Sequence, residues 1–197
     1  MKKILFILLC LPMIGLGQGW EQTFSVSPQS DEVGYSVQQT LDGGYVTLGH
    51  TLENNNRDIL LIKTNNNGEH QWTKILGGEE SDYGLEIQET SDLGFIIIGY
   101  TKSFTFLDAY EVYLIKTDQN GNEQWSHTYS SNNSLSNYGY SVDQTNDGGY
   151  IIVGEANDFI SSNLTTQKDI LLIKTDENGN LVWNTILDEY NGLDQYD

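Results

Sequence analysis

Short apolar runs separated by polar turns recur three times along the chain. The first copy, residues 34–76, begins with an alternating stretch at 35–40, which an Asp-Gly-Gly turn separates from the apolar stretch 45–48. A continuous apolar run at 58–62 follows, and then a second polar turn and a segment containing Trp72. Alternation and short apolar runs bounded by turn residues predict strands, and no segment shows a sustained helical period. Each copy therefore predicts four strands.

Fixed landmarks show that these copies form a true repeat. They recur at a nearly constant spacing and comprise the turn aspartates Asp42, Asp92 and Asp147, the lysines Lys63, Lys116 and Lys174, and the tryptophans Trp72, Trp125 and Trp183. Four antiparallel strands repeated at this period are typical of the blades of a β-propeller. A β-sandwich is the alternative, but a sandwich gives no reason for a fixed period. The predicted fold is all-β, a partial propeller of three four-stranded antiparallel blades.

The units also resemble a known repeat family. The sequences GYSV at 34–37, DGGY at 42–45 and LIK at 61–63, together with Asp58 and Trp72, are similar to SBBP-type β-propeller repeats and to the DGGY-containing repeats of secreted bacterial surface proteins. The resemblance covers residues 20–188. It implies a propeller architecture and no particular activity, because propellers host many functions.

The segment from Met1 to Gly17 predicts a secretory signal peptide. Lys2 and Lys3 precede an apolar run, and Gly17 supplies a small residue before the cleavage point. A lipoprotein signal through Cys10 is disfavoured, because Leu9 stands where a small residue is required. We expect bacterial-type export to the medium or the cell surface, with no membrane insertion after the signal is cleaved.

A strand belonging to no blade is predicted directly after the leader. Trp20 precedes Trp72 by one repeat period, so residues 18–26 should form an outermost strand that completes the last blade of a closed ring. Three blades are too few to close a ring, so we expect either the N-terminal part of a longer protein or chains that assemble. The predicted organisation is a leader at 1–17, the outer strand at 18–26, blades at 31–77, 81–130 and 136–188, and the start of a truncated fourth blade at 189–197.

Composition restricts the possible partners. The chain carries nine basic and 28 acidic residues, a formal net charge of −19, and loss of the leader lysines makes it −21. Such a chain repels nucleic acid and anionic membranes. The only cysteine leaves with the leader, so the mature chain has no disulfide and no thiolate metal site.

The repeated lysines are interpreted as structural. A ring of cations on one face is the functional alternative, but repetition in every unit favours packing. Because the third strand ends where the first hairpin turns, we predict that at least two of the three lysines form ion pairs with the turn aspartates. The tryptophans, including Trp20, are interpreted in the same way, as contacts between blades.

The second turn of each later copy resembles a calcium loop weakly. Asp118, Asn120, Asp176 and Asn178 supply oxygens there, but the bidentate glutamate of an EF-hand loop is absent and hairpin turns explain the sequence. No cofactor is predicted, and calcium is the one candidate. The histidines His50, His70 and His127 occupy unrelated repeat positions and give neither a metal-ligand spacing nor a catalytic triad.

The loops between the second and third strands vary most and are the predicted binding surface. Their apolar residues are Phe104, Phe106, Tyr110 and Phe159, which suit a sugar ring or a peptide, or fold back over blade edges. The same edge carries the acids Glu32, Asp58, Asp82, Glu111 and Asp169, which suit a cation or basic partner, or simply a solvated surface.

These features favour an exported, non-catalytic module that binds or displays an unknown ligand, glycan or protein, at the cell surface. The alternative is a fragment of a propeller enzyme acting on polysaccharide, whose carboxylates lie on further blades. An enzyme requires paired carboxylates in a pocket, roughly 5 to 10 Å apart. A third interpretation is a purely structural spacer.

Overall fold

The chain folds into twelve β-strands and no helix in the part that the computed structural model describes, residues 21–53, 55–105, 109–131, 134–160 and 165–187. The strands are β1 Asp31–Gln39, β2 Tyr45–Glu53, β3 Asn56–Thr64, β4 His70–Leu76, β5 Asp82–Glu89, β6 Phe95–Thr101, β7 Glu111–Thr117, β8 Glu123–Tyr129, β9 Ser134–Gln144, β10 Tyr150–Ile160, β11 Thr165–Thr175 and β12 Leu181–Leu187.

Consecutive strands pair in three separate antiparallel sheets of four. The first sheet contains β1 to β4, the second β5 to β8 and the third β9 to β12, each in chain order. Equivalent residues pair in each sheet: Val46 lies opposite Lys63, Ile96 opposite Lys116 and Ile151 opposite Lys174. The predicted all-β fold of three four-stranded blades is confirmed, and the sandwich alternative is wrong.

The hydrophobic core consists of two layers, one at each junction between sheets. Between the first and second sheets, Leu48 and Leu61 pack with Ile97 and Ile115 of the next blade. Between the second and third sheets, the layer continues with Ile98, Leu114, Ile152, Leu171 and Ile173. The middle sheet is covered on both faces, which explains its continuous apolar strands.

The two outer faces of the stack have no neighbouring sheet among the described residues. The free face of the third sheet exposes Val153, Ile170, Trp183 and Leu187, the repeat equivalents of Leu48, Ile59, Trp72 and Leu76. At the other end, Val37 of β1 is 66% exposed. The blades therefore form an open arc in the part of the chain that is described.

The predicted N-terminal outer strand is not formed at residues 21–26, and Trp20 lies outside the described residues. A strand requires an adjacent sheet edge, and this segment lies instead against a sheet face. It borders a cavity with Leu60 and Ile62 of β3, and the Phe24 ring lies 5.9 Å from that of His70. The segment thus lies on the free face of the first sheet, without backbone pairing.

Candidate functional site

The three repeated lysines all form the predicted ion pairs. Lys63 Nζ lies 2.9 Å from Asp42 Oδ2, and Lys116 Nζ lies 2.9 Å from Asp92 Oδ2. In the third blade Lys174 Nζ lies 3.0 Å from the turn carboxylate of Asp147. The prediction of at least two such pairs is confirmed. The three ion pairs lie at one end of the strands, which we call the ion-pair edge.

The first hairpin turn positions each pair; its sequence is Asp-Gly-Gly in the first and third blades and Asp-Leu-Gly in the second. Asp42 Oδ1 accepts a hydrogen bond from Gly44 N at 2.9 Å and another from the Thr40 hydroxyl. Gly44 has no room for a side chain, because a Cβ there would overlap the Thr64 carbonyl and lie 2.5 Å from Lys63 Nζ. Hydrogen bonding from Thr40, together with the ion pair to Lys63, lowers the pKa of Asp42 to about 2.

The tryptophans join neighbouring blades. The Trp72 ring lies 6.1 Å from that of Phe95, the first residue after the next blade's turn, and Trp125 lies 5.9 Å from the equivalent Tyr150. A Cβ on Gly121 would lie 2.8 Å from the Trp72 indole. This arrangement agrees with the packing role predicted for these residues.

Beside each of these tryptophans, a groove opens between two sheets at the ion-pair edge. The first has a volume of about 590 Å³ and the second about 470 Å³. Repeat-equivalent positions line both: Asp42, Lys63, Gln71, Trp72, Glu89 and Asn120 in the first, and Asp92, Lys116, Gln124, Trp125, Gln144 and Asn178 in the second. The sequence did not reveal these grooves, because each combines side chains from two successive repeat units.

The turns with calcium-like sequences are closed by their own carboxylates. Asp118 Oδ1 accepts hydrogen bonds from the amides of Asn120 and Asn122, each at 2.8 Å, and Asp176 makes the same pair of contacts in the third blade. Backbone amides of the turn therefore bond Oδ1 of each aspartate, as in an Asx-turn. Across the described ranges, no three His, Cys, Asp or Glu side chains are grouped to hold a metal.

At the opposite end of the strands, aromatic side chains from all three blades form a continuous cluster. Tyr100 is at its centre, with ring centroids 4.6 Å from Tyr83, 5.1 Å from Tyr110 and 4.9 Å from Tyr138. The cluster extends through His50 to Tyr35 at one end and to Tyr140 at the other. We call this end the aromatic edge.

The rings of the aromatic edge are partly buried and flanked by two cations. Burial, followed by neighbouring tyrosines, raises the pKa of Tyr100 far above its ordinary value, so its hydroxyl stays protonated. Lys102 Nζ lies 4.9 Å from the Tyr110 centroid, and the Arg57 guanidinium lies 5.8 Å from that of Tyr83. Aromatic rings beside cations form a surface that is amphipathic rather than purely apolar.

Of the two predicted ligand-binding residues whose side chains are described, one lies in this cluster. Tyr110 belongs to it, whereas Phe104, 47% exposed, packs near Tyr113 instead, with ring centroids 5.3 Å apart. Phe106 lies outside the described residues, and the side chain of Phe159 is also outside them. Tyr83 and Tyr138 were missed, although both directly precede the first-strand glycine of their copy, a repeated Tyr-Gly pair that was the available signal.

The acidic residues predicted at this edge have different surroundings. Glu32 Oε1 accepts a hydrogen bond from Val26 N at 3.1 Å, and Asp169 accepts one from Gln167 at 2.9 Å. Asp58 and Asp82, in contrast, converge on Gly77: a Cβ there would lie 2.7 Å from Asp58 Oδ1 and 2.5 Å from Asp82 Oδ2. These two oxygens are therefore no more than about 5 Å apart, close to the separation used by retaining glycosidases.

The environment of this acid pair disfavours charge. Asp82 is fully buried; its Oδ2 accepts hydrogen bonds from Gly78 N and Ser103 Oγ, each at 2.7 Å. Burial raises the pKa of Asp82, although the hydrogen bonds from Thr101, Ser103 and Gly78 act in the opposite direction. The pKa of Asp58 is raised as well, first by burial and then by the charge of Asp82.

The three histidines have unrelated environments, as their repeat positions suggested. His50 lies in the aromatic edge, where burial and then Arg57 lower its pKa. His70 Nε2 lies 2.7 Å from Thr73 Oγ1, and His127 Nε2 lies 3.0 Å from the Asn178 carbonyl oxygen. No two of them face each other.

Comparisons with known proteins do not assign the chain. No family model matches it, and no curated protein matches it significantly. Within the described residues, no helix is long and apolar enough to cross a membrane.

Proposed function

We propose that the chain is an exported, non-catalytic β-propeller module that binds or displays a ligand at the cell surface, related to the SBBP-type and DGGY-containing repeat proteins that its units resemble. The aromatic edge carries the proposal. Tyr83, Tyr100 and Tyr110 of the second blade meet Tyr138 of the third at the end of the strands where the loops vary most, and His50 extends the cluster to the first blade. Rigid aromatic side chains with polar tips supply contact area at low entropic cost, which is typical of binding surfaces.

Export is supported by the leader-like segment from Met1 to Gly17. Expression of the full chain in a Gram-negative host, followed by intact mass measurement of the exported product, tests this part. We expect a product that begins at Gln18 and is found outside the cytoplasm. An uncleaved chain retained in the cytoplasm would refute it.

Binding is tested by applying the exported chain to an array of oligosaccharides and peptides. Tyr110→Ala and Lys102→Ala should each remove at least one of the array signals, since both residues flank the centre of the aromatic edge. Thr73→Ala, an exposed change on β4 at the other end of the molecule, is the matched control. An array profile that both changes leave unaltered, or no binding at all, would count against the aromatic edge.

One observation favours a second candidate function, a polysaccharide-active enzyme. The oxygens of Asp58 and Asp82 are no more than about 5 Å apart and both carboxyls have raised pKa values, which resembles an acid and nucleophile pair. The full burial of Asp82 opposes this interpretation, because a catalytic carboxylate must reach substrate. Reducing-sugar assays on neutral and acidic polysaccharides decide it: hydrolysis abolished by Asp58→Asn would establish the enzyme, and no hydrolysis would support the binding module.

A further inference from the structure

The two grooves at the ion-pair edge repeat one set of chemical groups at both junctions between sheets. Each presents an indole, a side-chain amide, a turn carboxylate and a buried ammonium at equivalent positions. We propose that these grooves are two equivalent sites for neutral carbohydrate, one monosaccharide or disaccharide unit in each. This extends the binding role proposed above, but it uses a different edge of the molecule.

The lysine in each groove already donates all its hydrogen bonds to protein acceptors, so it does not select an anion. Lys63 Nζ donates to both Asp42 oxygens at 2.9 and 3.1 Å, to the Thr64 carbonyl at 3.1 Å and to Gln71 Oε1 at 3.2 Å. Lys116 makes the same set with Asp92, Thr117 and Gln124. Each ion pair is internally neutral, and the net charge of −19 disfavours anionic ligands further.

The contact between Lys63 and Gln71 orients the side-chain amide of Gln71. Because Gln71 Oε1 accepts from Lys63, its Nε2 is the atom left to donate to a ligand, and no hydrogen bond joins it to a described residue. Gln124 is held in the same way by Lys116 at 3.4 Å. A fixed donor is useful for recognising a hydroxyl, because a site built to hydrogen-bond that group rejects analogues that lack it.

Acceptors and an apolar surface complete the site. The Asp42 carboxylate is 57% exposed despite its ion pair, so its remaining lone pairs face solvent at the groove. Trp72 is half-buried and lines the same groove. A sugar ring has hydroxyls at its rim and C–H groups on its faces, which match a donor, an acceptor and an aromatic surface placed together. Volumes of 470 to 590 Å³ lie within the usual range for small-ligand sites.

The first groove differs from the second by two apolar flanks. Leu41 and Leu93 line it, whereas the equivalent positions of the second groove are Ser91 and Gly148. Leu93 has φ 68°, although the same turn position holds glycine in both other blades, Gly43 and Gly148. Strained backbone of this kind is retained at functional sites. The first groove should therefore bind more tightly.

A glycan array of neutral and sialylated oligosaccharides, probed with the full exported chain, is the first test. The neutral glycan that binds best is then titrated calorimetrically against the chain and its variants. We expect two sites per chain, and no retention of sialylated glycans. Gln71→Ala and Gln124→Ala should each remove one of the two sites, and the double variant both. Leu93→Gly should weaken the first site by at least about tenfold, since a lost apolar contact has that effect.

Two controls separate binding in the grooves from binding at the aromatic edge. Thr73→Ala should leave both sites intact, because an irregular register in β4 places Thr73 beside the cavity on the free face of the first sheet, whereas Gln71 lines the groove. Tyr110→Ala at the aromatic edge should also leave them intact. Gln71 is exposed, and a circular dichroism melt of each variant checks its fold; if Gln71→Ala does not fold, Gln71→Glu replaces it as the loss-of-donor variant.

Three results would overturn the two-groove proposal: no neutral glycan bound at millimolar concentration, a single site per chain, or binding unchanged in the double glutamine variant. Binding that is lost in Tyr110→Ala and kept in the double glutamine variant would overturn the grooves and leave the aromatic edge as the binding surface.

Discussion

The ammonium of Lys63 is buried, with 5% of its side chain exposed, whereas its partner Asp42 is 57% exposed. The two halves of this ion pair therefore depend on each other unequally. Without Asp42, Lys63 keeps a desolvated charge with only the Thr64 carbonyl and Gln71 to accept from it. Without Lys63, water solvates the Asp42 carboxylate.

The first prediction follows from this asymmetry. Asp42→Asn should lower the free energy of unfolding by about 2 kcal/mol, less than a fully buried pair would lose because one partner is exposed. Lys63→Met, which replaces the ammonium by an apolar group of similar length, should cost less than about 1 kcal/mol. Urea unfolding of both variants measures the difference, and equal losses would contradict the argument.

Acid should weaken the ion-pair edge in a defined window. The pKa of Asp42 is about 2 in the folded chain, and the pKa of Asp147 is also about 2, held down by Thr145 and then Lys174. A folded pKa below the ordinary value of 3.8 means that the contribution is complete above about pH 4 and is lost as the pH falls toward 2. The urea midpoint should fall between pH 4 and 2, and less steeply in the Asp42→Asn, Asp147→Asn double variant. Parallel curves for the two chains would refute this assignment.

The acid pair at the aromatic edge, Asp58 and Asp82, should make stability depend on pH in the opposite direction. The folded pKa values of Asp58 and Asp82 are raised, so their contribution is favourable at acid pH and is lost as the pH rises through them. Asp82→Asn should therefore stabilise the chain at pH 7, by on the order of 1 kcal/mol. The third blade supports this substitution, because Asn137 occupies the equivalent position and accepts from Ser131 Oγ at 3.1 Å. A lower melting temperature for Asp82→Asn would show that the charge is needed there.

The contacts that the sequence predicted correctly are those within one repeat unit. Asp42 and Lys63 recur in every copy, 21, 24 and 27 residues apart, and strand pairing brings the end of β3 beside the first hairpin turn. The four-strand pattern followed from the same local signals. A feature repeated in three copies is visible in a single sequence because the chain aligns with itself.

The contacts that were missed depend on how the sheets pack. Tyr110 has no aromatic equivalent in the other copies, and Tyr100 corresponds to His50 and Glu155; the two tyrosines reach Tyr83 and Tyr138 only across strands and junctions. The acid pair likewise joins β3 of one blade to β5 of the next. The N-terminal segment was mispredicted at residues 21–26 because a Trp at the repeat spacing indicates similarity to a fourth strand, but not the neighbouring edge on which a strand depends.

Packing between blades should determine the effect of removing a tryptophan. Trp125 lies between two sheets, against Tyr150 and beside Gly179, so Trp125→Ala should cost about 3 kcal/mol. Trp183 occupies the same repeat position on the free face and is 44% exposed, so Trp183→Ala should cost less than about 1 kcal/mol. Urea titration of the two variants compares them directly. A similar loss in both would mean that another surface covers Trp183 in solution.

Leu93 has a backbone conformation that its own type disfavours. Its φ of 68° corresponds to 83° at Gly43 and 85° at Gly148, and its side chain is 45% exposed, so little burial offsets the strain. Leu93→Gly should therefore raise the free energy of unfolding by about 1 kcal/mol. The left-handed region costs an L-residue roughly 1 to 2 kcal/mol, and part of that gain is offset because glycine loses more backbone entropy on folding.

Gly148→Leu provides the reciprocal test, because it introduces the same residue at the same turn position of the third blade. It should lower stability by a similar amount, and thermal melts of the two variants should shift in opposite directions. A Leu93→Gly chain that melts lower than the parent would mean that Leu93 gains more from contact along the first groove than its backbone loses. In that case its role would be packing rather than a strained flank kept for a ligand.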